Sequence, residues 1–231
     1  MTHPLDRPIW SALTGPQGSL AQGSARAWRL DPAMGHFVAA ADPADVAALA
    51  SLIDVDGKLI LFEDAAIAPP RPGVTVQSDT MVQMVADALA PPGDGAPIVP
   101  LGDADADEMV ALATLTRPGP FLSGTPRFGG FVGIREGGRL AAMAGTRLRA
   151  PGFVELSGVC THPDHRGRGH AARLMQAVAA AIVAEGARPF LHAFAHNTGA
   201  VSLYERLGFR LRRHLTVSFL TSDIATAPPS D

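Results

Sequence analysis

The chain has 231 residues, 47% hydrophobic and 18% charged, with one cysteine and a net charge of −3. This is enough chain to bury a sizeable core, and the balance excludes a disordered chain, a disulfide scaffold, a multi-cysteine metal site and a generally basic nucleic-acid binder. No apolar run reaches membrane-spanning length and the first ten residues lack the order of a secretory signal, so a cytoplasmic protein with no membrane or nucleic-acid partner is expected.

Residues 1–96 are expected to form an N-terminal domain that carries no chemical motif. Within it, residues 43–53 and 80–90 are predicted helical, and residues 59–62 and 74–77 are predicted strands. Asp54-Val55-Asp56-Gly57 begins like a calcium loop but lacks the downstream glutamate, so a turn is expected. Pro91-Pro92-Gly93 precedes a connector over residues 94–97, which sets the boundary.

The second unit, residues 97–221, has a clearer pattern. A short strand over 98–101 leads to a helix over 103–116, with Asp103 as candidate N-cap. A Gly- and Pro-rich loop follows over 116–130, where Phe121, Phe128 and Phe131 suggest an apolar wall or simple core packing. Glu136-Gly137-Gly138 is a hairpin signal between strands over 131–135 and 139–148. A strand over 153–161 and a helix over 171–185, apolar nearly all round, come next. A strand over 189–195 and a helix over 198–207 follow, with Gly208 at its left-handed cap. A last strand over 215–220 precedes a tail, 222–231, expected to be disordered.

Charge is unevenly spread. Residues 160–214 hold eight arginines against Asp164, Glu185 and Glu205, a net of +5, which leaves −8 for the rest. Either a local polyanionic ligand or a solvated charged face fits that pattern.

The chemistry concentrates after the strand over 153–161. There the chain turns at His162-Pro163-Asp164 and runs Arg166-Gly167-Arg168-Gly169-His170-Ala171-Ala172 into a helix. Helix N-termini present free N–H groups and partial positive charge. Gly167 and Gly169 remove the Cβ atoms that would hold a phosphate away, and Arg166 and Arg168 supply charge. The same letters fit a dinucleotide fingerprint at Gly167, Gly169 and Ala172. That reading is disfavoured because the next strand ends in His196-Asn197 without an acid.

Downstream lies Asn197-x-x-Ala200-x-x-Leu203-Tyr204-x-x-x-Gly208-Phe209. Together with Arg166-x-x-Gly169-x-Ala171, this string resembles the GCN5-related N-acetyltransferase (GNAT) superfamily over roughly residues 97–220. The resemblance implies an α/β (α+β) fold: a mixed, mostly antiparallel sheet flanked by helices, with an additional N-terminal domain. A degenerate copy of the same fold is one reading of that domain. The implied activity is acyl transfer from acetyl-CoA to a primary amine on a small molecule or protein, by direct attack. A homodimer is one expected assembly.

The resemblance also implies roles. The backbone of Val159, Cys160 and Thr161 pairs with the pantetheine arm. Arg166, Gly167, Arg168, Gly169, His170, Ala171 and Ala172 hold the pyrophosphate, and Asn197 touches the cofactor. Tyr204 protonates the departing thiolate, a task its high pKa suits, although a helix-face core aromatic is the bland alternative. Glu155 matches a general-base glutamate; a solvent-facing strand glutamate is its alternative, and His192 and His196 are other proton acceptors. Cys160 is read as a buried small residue, because direct attack needs no covalent intermediate. No metal site is expected from Cys160, His162, His165 and His170. A CoA-binding regulator without turnover, or a dinucleotide-dependent oxidoreductase, are the competing functions.

Overall fold

The computed structural model describes residues 3–53 and 57–222. The turn expected over residues 54–57 and the tail expected over 222–231 fall mostly outside the described residues, and Ser222 itself ends a strand rather than a disordered tail.

In chain order the elements are α1 (Pro8–Leu13), β1 (Ala21–Ser24), β2 (Ala27–Leu30), β3 (Val38–Ala40), β4 (Lys58–Glu63) and β5 (Val74–Val85). Then come β6 (Ile98–Pro100), α2 (Ala106–Thr116), β7 (Val132–Glu136), β8 (Arg139–Ala150) and β9 (Phe153–Thr161). Helix α3 (His170–Ala184), β10 (Arg188–Phe194), α4 (Thr198–Leu207) and β11 (Arg210–Ser222) complete the order.

One three-stranded sheet joins β1, β2 and β3, and a larger sheet runs β4-β11-β5-β10-β9-β8-β7-β6. All neighbours in the larger sheet are antiparallel except β9 and β10. This mixed, mostly antiparallel sheet is the architecture that the resemblance implied. It is not the doubly wound parallel sheet of a dinucleotide fold.

Strand β5 lies between β10 and β11, pairing Phe190 with Val85 on one side and Leu215 with Met81 on the other. The sheet therefore crosses the boundary expected near residue 96, and residues 58–85 supply two of its strands. Helical structure over 80–90 is corrected by this placement. Met81, Val82, Gln83 and Met84 are buried in succession, because both faces of a central strand are covered and period-two alternation disappears. Residues 43–53 also differ from expectation: only Val46–Leu52 is helical, and it is a 3-10 helix. The N-terminus of α2 is organised by Asp105, whose carboxylate accepts the Gly102 N–H at 2.9 Å, rather than by Asp103.

Helices cover both faces. On one side Leu174, Met175, Val178 and Ile182 of α3 pack on Ala142, Ala144, Leu156 and Leu191. Each such burial contributes about 1.5–3 kcal/mol. On the other side Ile9, Leu13, Met109 and Leu112 pack on Met143, Leu148, Phe190 and Leu215. Phe128 and Phe131 belong to this second core, with Phe121 edge-on to Phe131 at 5.7 Å. No helix among the described residues is long and apolar enough to cross a membrane.

Candidate active site

Strands β9 and β10 pair only at Phe153–Arg188, Val154–Pro189 and Glu155–Phe190. Beyond that point they diverge, so the facing backbone edges of residues 156–161 and 191–194 lack each other as partners. Unpaired strand edges are hydrogen-bonding templates. Val159, Cys160 and Thr161 lie on one side of this opening.

The chain leaves β9 through a short turn and enters α3 at Gly169, its N-cap. Gly167 and Gly169 both have φ of +76°, and a Cβ at either would meet nothing within 4 Å. The positive φ favours glycine, and the missing Cβ leaves the approach to the helix start open. The N–H groups of residues 167–172 find no acceptor among the described residues; the first bond belongs to Arg173, donating to Gly169 O. Six unpaired donors at a helix start form a cradle for an anion.

The cradle is one end of a groove of about 790 Å³ lined by Val159, Cys160, Thr161, Arg166 and Ala171, and at its other end by Asn197 and Tyr204. There it adjoins a smaller cavity of about 140 Å³. Pro118, Gly119, Phe194, Asn197 and Tyr204 border both spaces. Tyr204 reaches this junction because α4 carries it one turn from the Gly208 cap, where its ring lies 6.3 Å from that of buried Phe209. Burial raises the Tyr204 pKa above its ordinary value of 10.0, which keeps the phenol protonated at neutral pH. The Asn197 carbonyl oxygen accepts the Ala200 N–H at 3.2 Å and so caps α4, leaving the side-chain NH₂ as the donor at the junction.

A family model described as FR47-like protein matches residues 131–217. A solved structure described as an acetyltransferase from the GNAT family, from Novosphingobium aromaticivorans DSM 12444, is 50% identical, with a TM-score of 0.90 and a match over 96% of this chain and 99% of that one. The chain belongs to the GNAT family. A GCN5-related N-acetyltransferase from Kribbella flavida shares the fold at 21% identity and TM-score 0.60, over 96% of this chain and 95% of that one. A GCN5-related N-acetyltransferase-like protein from Streptococcus suis 89/1591 does so at 15% identity and TM-score 0.55, over 91% of each chain. No curated protein matches significantly.

In this GNAT chain Glu155 lies in the interior, paired with Arg147. The residue has no exposed surface. Its carboxylate accepts from Arg147 Nε at 2.8 Å and Nη2 at 2.7 Å, and from the Leu148 N–H at 3.2 Å. His192 Nδ1 lies 2.7 Å away. Burial alone would raise the carboxyl pKa, but the Arg147 charge and hydrogen bonds, with those of His192, outweigh it and hold the value at about 2. A carboxylate so stabilised is a weak base and is shielded from the cavity. The solvent-facing alternative for Glu155 is thus overturned by burial, which a strand position in the sequence does not reveal.

His192 is equally enclosed. Its side chain has 0% exposure, and its Nε2 lies 3.0 Å from the Gln83 amide nitrogen, which also donates to Leu5 O at 2.9 Å. With Gln83 donating, His192 Nε2 accepts and Nδ1–H donates to Glu155. His196 is exposed and stacks on Phe194 at 5.2 Å.

The basic segment of this GNAT chain is mostly used internally. Arg212 and Arg213 pair with Asp6, Arg213 also with Asp64, and Arg188 and Arg210 with Asp87. Arg173 donates to the carbonyls of Gly93 and Ala96. The charge asymmetry therefore reflects contacts between the two halves of the chain. Within the cradle, Arg168 bonds to Glu136, His170 Nε2 lies 2.8 Å from the same carboxylate, and His165 Nδ1 is 3.0 Å from it without hydrogen-bond alignment. Arg168 and His170 thus anchor the loop to β7, whereas Arg166 stays exposed on the groove side, its Nε donating to Thr161 O at 3.4 Å.

Cys160 is buried, and burial pushes its thiol up to about 11, which fits a packing role. No group of three His, Cys, Asp or Glu among the described residues is placed to hold a metal ion. A separate cleft of about 660 Å³ surrounds Trp10, but its charged lining is internally matched, as in the Arg7–Glu63 pair at 2.8 Å. Arg147 and Ser157 line the smaller cavity and Gln83 bonds to His192 behind it, and none of the three stands out in the sequence. The available signal for Arg147 was an arginine following the apolar and small residues 140–145 in one strand.

Proposed function

We propose that the protein transfers an acetyl group from acetyl-CoA to an amine, and that residues 167–172 bind the CoA pyrophosphate. The carrying observation is the junction at Tyr204 and Asn197, where a groove leading from an unpaired helix N-terminus meets a smaller cavity. A long anionic donor fits the groove, and a compact acceptor fits the cavity.

In this reading the backbone of residues 159–161 aligns the pantetheine arm like an added strand. Arg166 adds charge beside the phosphates, while Arg168 and His170 fix the loop through Glu136. The amine attacks the thioester carbonyl carbon, the C–N bond forms and the C–S bond breaks. Backbone N–H groups at the opening polarise the carbonyl. Tyr204 gives its proton to the departing sulfur, and the proton released from nitrogen returns to the phenolate through water. Residues 97–221 supply the donor side, and residues 1–96 contribute to the acceptor side through Phe37, Ile60, Phe62 and Met81.

The test pairs thermal shifts with turnover. Acetyl-CoA should raise the melting temperature where NAD does not, and thiol release should depend on an added amine. Stabilisation by NAD alone would overturn the reading. Stabilisation by acetyl-CoA without acylation of any amine in a broad panel would instead support a CoA-binding regulator.

A further inference from the structure

We infer that the acceptor is a compact apolar amine that also carries a carboxylate, such as a hydrophobic α-amino acid, and that Arg147 recognises that carboxylate. This rests on the acyl-transfer reading above and concerns the acceptor cavity alone.

The cavity combines an apolar wall with a polar side formed by Arg147, Ser157, His192, Asn197 and Tyr204. Phe37, Ile60 and Phe62 come from the N-terminal half, and Phe194, Val217 and Phe219 from the C-terminal half. No aspartate or glutamate lines it. A polycationic acceptor such as a polyamine or an aminoglycoside would arrive there with several charges and find no counter-charge, at a heavy desolvation cost. The volume of about 140 Å³ is close to that of an apolar protein cavity that accepts benzene, roughly 150 Å³. One ring or one branched four-carbon group fills it.

Arg147 and Ser157 belong to the polar side. The Arg147 side chain is 14% exposed, and its Nε and Nη2 edge is committed to Glu155, which is fully buried behind it. No described residue accepts a bond from Nη1. A guanidinium has five N–H donors in a planar fork. With one edge held by Glu155, the other edge keeps two parallel N–H groups, the pattern that binds a carboxylate bidentately.

The fork is also held rigid. Phe37 lies beneath it, with the guanidinium carbon 4.9 Å from the ring centroid. Behind Glu155, His192 and Gln83 continue the chain of bonds to Arg212 Nη1 at 2.8 Å, and Arg212 pairs with Asp6. Every member of this buried row has a partner, so the guanidinium is pre-positioned rather than free to reorient. The Ser157 hydroxyl has no bond among the described residues and is the third donor at this end of the cavity. Glu155 is accordingly a positioning residue for Arg147.

The experiment compares L-leucine with isopentylamine, and L-phenylalanine with phenethylamine, as acceptors at saturating acetyl-CoA, with spermidine as the polycationic control. The wild type should prefer each amino acid over its decarboxylated partner by about 10- to 100-fold in kcat/KM, the range expected for a charge-assisted contact. Arg147→Lys and Ser157→Ala should shrink that ratio, mainly through KM. Calorimetry with acetyl-CoA confirms that each variant is folded, and the double variant Arg147→Met with Glu155→Gln serves if the single change unfolds the chain. Equal use of both members of each pair, or a preference for spermidine, would overturn the carboxylate site and leave acyl transfer standing. Carboxylate-dependent binding of L-leucine without turnover would do the reverse.

Discussion

Two residues at the centre of the site have environments that separate their roles. Tyr204 has its pKa raised by burial and borders both the groove and the smaller cavity. In the proposed role of proton donor to the thiolate it is expected to contribute about 10²–10⁴-fold. Tyr204→Phe should therefore lower kcat by that order while the KM for acetyl-CoA changes little, as steady-state thiol release would show. Glu155 has its pKa lowered from 4.5 to about 2. The unfolded chain takes up this proton first as pH falls, so the stabilisation is complete above pH 4.5 and disappears as pH falls towards 2. Its size is about 3 kcal/mol. Glu155→Gln leaves the Arg147 charge uncompensated and should destabilise the fold at pH 7 by about 3–5 kcal/mol. Urea midpoints from pH 7 to pH 3.5 should also fall less steeply in the variant than in the wild type. The position of Glu155 in a strand was legible in the sequence. Its burial was not, because Arg147 is eight residues away and His192 thirty-seven, and only the fold brings them together.

Elements whose signals are local were the legible ones. The glycine turn into α3 and the left-handed Gly208 are short-range features, and each sits where the spacing put it, whereas the α4 cap at Asn197 was not singled out. Gly169 shows what the first of these requires. A valine there would hold φ at +76°, at a cost of about 1–2 kcal/mol, and would place a branched side chain over the free N–H groups. Gly169→Val should weaken acetyl-CoA binding at least about tenfold, read by calorimetry, with the far-UV spectrum preserved. Strand β5 was illegible for the opposite reason. Met81 to Met84 present buried side chains on both faces, so no period marks them as a strand, and their partners Leu191 and Leu215 lie more than a hundred residues away. The Val46–Leu52 segment shows a similar limit, since local apolar spacing did not distinguish a 3-10 from an α-helix.

At the scale of the whole molecule, the chain is stitched together across its apparent midpoint. Strands β4 and β5 from the first half flank β11 from the last, and ion pairs from Arg188, Arg210, Arg212 and Arg213 run to Asp6, Asp64 and Asp87. The smaller cavity, the proposed acceptor site, has walls from both halves. A fragment of residues 97–222 leaves β10 and β11 without the strand between them and exposes the faces that β5 covers. It should lack near-UV ellipticity and a cooperative melt, whereas a fragment that folds cooperatively would show the two halves to be separable. The most direct measurement for the account as a whole is a crystal structure with acetyl-CoA bound. The account predicts the pyrophosphate within hydrogen-bond distance of the N–H groups of residues 167–172 and the thioester sulfur beside Tyr204. A pyrophosphate bound elsewhere, for instance in the cleft around Trp10, would contradict it.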